Sequence, residues 1–165
     1  SPTYEQAHVG LDLLTLVSLN YKEDIDMVDQ NCAYCMEGEL VAKFGIKICE
    51  LETSKVYLFK EQSHPGRCIV AHKKHVGDMN ELTAEERAAY FEDVARVARA
   101  IMKAFNPDKV NYGAYGDTGH HLHFHLCPKY KDEYEWGGVF LMNPDKKYLT
   151  DAEYAEMIEK IKANL

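Results

Sequence analysis

The chain has 165 residues, 46% of them hydrophobic and 28% charged, which suits one soluble globular domain and leaves little room for a second. A formal net charge of −8, with no run of Lys and Arg longer than a pair, argues against an extended DNA or RNA partner. A small phosphorylated molecule in a local pocket is still allowed. The longest apolar stretch, Leu11 to Leu19, is interrupted by Asp12, Thr15 and Ser18 and is too short to cross a membrane.

Residues Tyr4 to Leu19 are expected to be helical, and an acidic connector, Glu23 to Asp29, leads to Cys32. The start at Ser1-Pro2-Thr3 lacks the basic residues of an export signal. The five cysteines, Cys32, Cys35, Cys49, Cys68 and Cys127, make an odd count, so reduced thiols and a cytoplasmic setting are expected. Cys32-Ala33-Tyr34-Cys35 is a Cys-x-x-Cys pair, which reads as a redox motif, as half of a zinc site or as two buried thiols. No parallel α/β pattern accompanies it, which weakens the redox reading. A zinc site needs two more ligands, and His75 and His121 are candidates for a closed, structural Cys₂His₂ set.

Two strands are expected at Lys47 to Leu51 and Ser54 to Lys60. Pro65-Gly66 then marks a turn, and Arg67 to Ala71 reads as a short buried strand. Thr83 to Glu86 is a capping box, in which hydroxyl and carboxylate satisfy exposed amide donors. Apolar residues follow at Phe91, Val94, Ala98, Ile101, Met102 and Phe105, the helical period, until Asn106-Pro107. Lys109 to Tyr115 is a strand and Gly116 to Gly119 a tight loop. A second capping box, Thr150 to Glu153, opens a terminal helix with Tyr154, Met157, Ile158, Ile161 and Leu165 inward. The class is α+β in a single domain, 1–165: an extension over 1–31, a core over 32–130, and a tail and helix over 131–165.

His121-Leu122-His123-Phe124-His125 carries the most information. Alternate residues of a strand project to one face, so three imidazoles line up on one side while Leu122 and Phe124 enter the core. The strand is expected to run from His121 to Cys127, stopped by Pro128. Imidazole acts as nucleophile, proton carrier or metal ligand near neutral pH. Chance surface histidines, a zinc site and a flanked histidine nucleophile all compete for this row. His120 points to the other face, His64 lies on the turn, and His72 is a candidate for one more imidazole at the site.

His121-Leu-His123-Phe-His125-Leu-Cys127 resembles the signature of the histidine triad nucleotide-binding superfamily, and Gly66 to His75 resembles its strand leading to a Pro-Lys-x-His turn. The similarity runs from about Cys32 to about Tyr130. It implies a five-stranded antiparallel sheet with a long helix, usually in a homodimer, and cleavage or transfer of nucleoside monophosphates at the α-phosphorus. By position, His123 is the expected nucleophile, through a nucleotidyl-histidine intermediate, and His125 contacts the phosphate or leaving group. Thr118 matches a family hydroxyl that holds a phosphate oxygen. Some members carry zinc on residues matching Cys32, Cys35, His75 and His121.

This sequence also departs from the family. Arg67 replaces a further active-site histidine; it can grip phosphate but cannot carry out that histidine's proton transfer. The residue that holds ribose hydroxyls has no evident counterpart near Lys60-Glu61-Gln62, and Asp117 stands where an amide is common. Two other functions remain open: a hydrolase with His121, His123 and His125 as metal ligands, and a nucleotide-binding protein of weak or no activity.

Overall fold

The structure, a computed structural model, describes residues 29–165. The expected helix Tyr4 to Leu19 and nearly all of the acidic connector lie outside them. Two short helices come first, α1 (Ala33–Met36) and α2 (Gly38–Ala42). Strands β1 (Gly45–Glu50), β2 (Ser54–Phe59) and β3 (Cys68–His72) follow, then the long helix α3 (Ala84–Phe105). Strands β4 (Lys109–Gly113) and β5 (His123–Lys129) complete the sheet, and α4 (Asp151–Lys162) closes the chain. The five strands form one antiparallel sheet in the order β1-β2-β3-β5-β4. None of the described helices is long and apolar enough to cross a membrane.

Both capping boxes form as read, on Thr83 with Glu86 and on Thr150 with Glu153. Helix α3 ends at Asn106 in the left-handed conformation, φ 49°. Its inward face differs from the expected one. Tyr90, Val94, Val97, Ala98, Ile101 and Ala104 are buried, whereas Phe91 and Met102 are 44% and 43% exposed. Two polar residues account for the rotation. Tyr90 donates to the Val70 carbonyl at 2.8 Å. The buried Asp93 carboxylate accepts from Thr53 N–H (2.9 Å), Thr53 Oγ1 (2.8 Å) and Ser54 Oγ (2.8 Å), fastening the helix to the β1–β2 turn.

The sheet has two unlike faces. Val56, Leu58, Cys68, Val70, Phe124 and Leu126 meet α3 and α4 in the main core, which Leu122 joins as expected. Tyr57, Phe59, Ile69 and Ala71 face the other way and pack with Tyr34 and Val41 of the two short helices. Helix α4 contributes Tyr154, Ile158 and Ile161, with Met157 and Leu165 partly buried beside them. Pro128 does not stop β5. It pairs with Val110 inside the strand, beyond Leu126, where β3 has already ended. A residue without an N–H is tolerated where a strand has lost one neighbour.

Asp93→Ala should lower stability by about 2–3 kcal/mol, because the charged acceptor is lost and buried donors are stranded. Urea denaturation checks this; a loss under about 0.5 kcal/mol would show that the carboxylate is not the fastening.

Candidate functional site

The row of histidines lies on the sheet face opposite the main core. Strand β5 opens at His123, so His121 sits just before it. The backbone there is held by Leu122 N–H on the Val76 carbonyl (2.7 Å) and His72 N–H on the Leu122 carbonyl (3.0 Å). Tyr34 of α1 covers two of the rings, with centroids 5.2 Å from His121 and 5.0 Å from His123. The His123 and His125 rings are 5.2 Å apart.

What binds the second nitrogen separates the three rings. His121 donates Nε2–H to the His72 carbonyl at 2.7 Å, which leaves Nδ1 as a lone pair. His123 donates Nδ1–H to the His121 carbonyl at 2.7 Å, which leaves Nε2 bare. His125 accepts at Nδ1 from the Arg67 guanidinium, 3.1 Å away, so its proton is on Nε2. Burial lowers all three below the ordinary histidine range, to about 4 for His121 and about 3 for His125, where the Arg67 charge adds to the effect. The rings are neutral at physiological pH.

Four side chains close beside Tyr34. Cys32 Sγ is 3.2 Å from His121 Nδ1, Cys35 Sγ is 3.2 Å from His75 Nδ1 and 3.5 Å from His121 Nδ1, and the two Nδ1 atoms are 3.2 Å apart. A tetrahedral ion with metal–sulfur distances of about 2.3 Å and metal–nitrogen of about 2.0–2.1 Å needs edges of about 3.3–3.8 Å. The donor set and spacing fit a divalent cation of zinc type. Burial, and after it Cys32, push the Cys35 thiol up to about 12, a penalty that a bound cation reverses. His123 and His125 are outside this cluster, the metal-binding arrangement found among the described residues. The geometry therefore runs against a triad of three metal ligands.

Helices α1 and α2 hold the cysteine pair in place through Glu37, whose carboxylate meets Lys47 (2.9 Å), Lys55 (3.3 Å) and the Tyr57 hydroxyl (3.0 Å). Beside the pair opens a cleft of about 1040 Å³, lined among others by Phe44, Phe59, Glu61, Thr118, His123 and His125. Asp117 and the exposed His120 also border it.

Other expected residues are used differently. The His72 ring stacks edge-on against Tyr90, 5.1 Å away, on the face turned to α3, so it adds no imidazole to the row. His64 is fully buried and held by Glu135 at 2.6 Å, outside the cleft wall. Arg67 is also buried. Nη1 donates to the Leu141 carbonyl (3.1 Å) and Nη2 to the Met142 carbonyl (2.8 Å), while Phe59 and Phe140 cover the guanidinium at 4.2 and 4.9 Å. Glu61 had no role in the sequence reading, yet it is buried on the cleft wall. Oε1 accepts from Ser63 and from Lys147 N–H (2.9 Å), and Oε2 has no hydrogen-bond partner among the described residues. Only its acidity at the position where a ribose ligand was sought offered a clue.

Titrated with zinc, the chain should retain a single ion, and Cys35→Ser should bind at least about tenfold more weakly. Atomic emission after dialysis checks it; unchanged affinity would mean the four side chains do not act together.

A family model, the HIT domain, matches residues 45–132. Among curated proteins, the protein hit of Bacillus subtilis is 28% identical over 123 residues, covering 70% of this chain and 83% of its own. Adenosine 5'-monophosphoramidase hnt1 of Schizosaccharomyces pombe is 28% identical over 116 residues, 65% of this chain and 80% of its own. Bis(5'-adenosyl)-triphosphatase of Dictyostelium discoideum is 28% identical over 98 residues, 56% of this chain and 65% of its own. Among solved structures, a histidine triad protein of Sinorhizobium meliloti superposes with TM-score 0.71 at 23% identity, covering 78% of this chain and 95% of its own. A zinc-bound histidine triad family protein of Mycobacterium smegmatis gives 0.59 at 21% identity, 80% and 93%. With the family model spanning more than half its length and the sheet carrying the row of imidazoles, the chain belongs to the histidine triad, or HIT, family.

Proposed function

We propose that the chain is a nucleotidyl hydrolase or transferase acting at the α-phosphate of a nucleoside phosphate ester or phosphoramidate. The observation that carries this reading is the bare Nε2 of His123, on the cleft wall, with Nδ1–H held by a carbonyl. A neutral imidazole needs no prior deprotonation to attack phosphorus. The His121 carbonyl then stabilises the positive ring that forms. His125 offers Nε2–H to the phosphate or the leaving group, and Thr118 a hydroxyl to a phosphate oxygen. Oε2 of Glu61 is suited to accept from ribose hydroxyls, and Phe44 and Phe59 offer apolar surface to the base. The named activities of two relatives, a monophosphoramidase and a triphosphatase, support this class of substrate.

Cys32, Cys35, His75 and His121 would hold zinc as a closed structural ion, whose chemistry is to clamp α1 onto the sheet. That leaves His123 free for the reaction. The cleft on a chain of net charge −8 suits one small nucleotide rather than a polymer. A cytoplasmic setting accords with five free thiols, and a homodimer is the family expectation.

His123→Ala should reduce turnover of a nucleoside phosphoramidate or a dinucleoside triphosphate by about a thousandfold or more, with zinc content and melting temperature unchanged. Acid-quenched wild type should show a nucleotidyl adduct on the peptide carrying His123. Retained turnover in the variant, or an adduct elsewhere, would remove His123 as nucleophile.

A further inference from the structure

We infer that Arg67 is a positioning residue that fixes His125 as a neutral donor at Nε2, and that the enzyme is thereby suited to leaving groups that depart as oxyanions, such as phosphate or a nucleoside phosphate, rather than as amines. The inference rests on the reaction proposed above. It starts from a geometric fact: Arg67 Nη2 lies 3.1 Å from His125 Nδ1. A guanidinium carries only donors, so Nδ1 must accept and the ring proton must sit on Nε2.

Arg67 is held firmly in that role. It is fully buried, with the Phe59 and Phe140 rings 4.2 and 4.9 Å from its guanidinium carbon, and its other partners are the Leu141 and Met142 carbonyls and the Met142 sulfur. No carboxylate is among these hydrogen-bond partners; Glu61 and Glu135 act on the guanidinium only through space, so the charge is presented to His125 without an ion pair. A second proton on His125 would have to enter at Nδ1, against a fixed cation and in place of its hydrogen bond. The titratable groups around the pair are His123 on the same strand and, around the guanidinium, Cys127, Glu61, Glu135 and Tyr115. The Phe59 ring meets His125 edge-on, 5.5 Å away, and brings no charge.

The consequence follows from proton balance. The Nε2 lone pair of His123 forms a bond to the α-phosphorus, and the bond from phosphorus to the bridging atom breaks with its electron pair on that atom. If the atom is a phosphate oxygen, it leaves as a stable anion and needs only a hydrogen bond, which His125 Nε2–H supplies. An amine nitrogen cannot leave as an anion and requires a full proton. A neutral imidazole is far too weak an acid to give one up, and a cationic His125 is what Arg67 prevents. Water then attacks phosphorus, the phosphorus–nitrogen bond returns its pair to His123 Nε2, and the proton of water goes to solvent.

The test uses the full zinc-loaded chain. Nitrogen-15 spectra of wild type should show His125 with an unprotonated Nδ1 throughout about pH 5 to 8. The ratio of kcat/KM for a dinucleoside triphosphate to that for the phosphoramidate of the same nucleoside should be at least about a hundred. In Arg67→His it should fall about tenfold or more, a difference of about 1.4 kcal/mol between the two barriers. A His125 that is protonated at Nδ1 or titrates within that range in wild type would overturn the lock without any variant. Equal turnover of both substrates, or a ratio unmoved by Arg67→His, would overturn the leaving-group assignment. A locked His125 in a chain that forms no His123 adduct would bring down the reaction itself, and the substrate class with it.

Discussion

Each ring of the histidine row has two nitrogens, and the partner of one decides what the other can do. A carbonyl under His121 Nε2 turns its Nδ1 toward two thiols and a second imidazole. A carbonyl beside His123 Nδ1 frees its Nε2 for the cleft. A guanidinium at His125 Nδ1 makes the remaining nitrogen a donor. Three identical side chains two residues apart thus present different free nitrogens, a lone pair toward the thiols, a lone pair on the cleft wall and an N–H donor, and backbone atoms and one arginine make the division.

Placing that arginine is costly. Burying a cation costs several kcal/mol even after relaxation, and among the described residues no carboxylate bonds to it, Glu61 and Glu135 acting only from a distance. Two main-chain carbonyls and two aromatic faces meet it directly, the latter contributing about 0.5–2 kcal/mol each. The segment after β5 is tied down for the same purpose. Lys129 is buried and donates to the Glu135 and Gly138 carbonyls, and Glu135 in turn holds His64. Residues 135–142 are therefore part of the Arg67 cradle as well as a wall of the cleft.

The sequence showed some of this and hid the rest, for physical reasons. Period-two alternation at His121 to His125 and the two capping boxes are local signals, and the strand row and both long helices follow from them. The inward face of α3 departs from the apolar template because that template passes over Tyr90 and Asp93, whose polar tips find partners inside. The donor types of a candidate zinc site were legible, yet Cys32 and His121 are 89 residues apart and meet where Glu37 anchors two short helices that leave no periodic trace. The partners of Arg67 were beyond reach, since a carbonyl 74 or 75 residues downstream has no identity in the sequence. Pro128 followed a rule that holds for strands with two neighbours and lapses where one has ended.

Tyr34 lies between two thiols in one helical turn, with its ring over both His121 and His123. Coordination at its flanks would reach that ring directly and hold the floor of the cleft taut. Stiffness there would then depend on the strength of a few dative bonds more than on the volume of hydrocarbon packed beneath it. A small fold can in this way keep a reactive nitrogen steady with only a thin layer of protein above it.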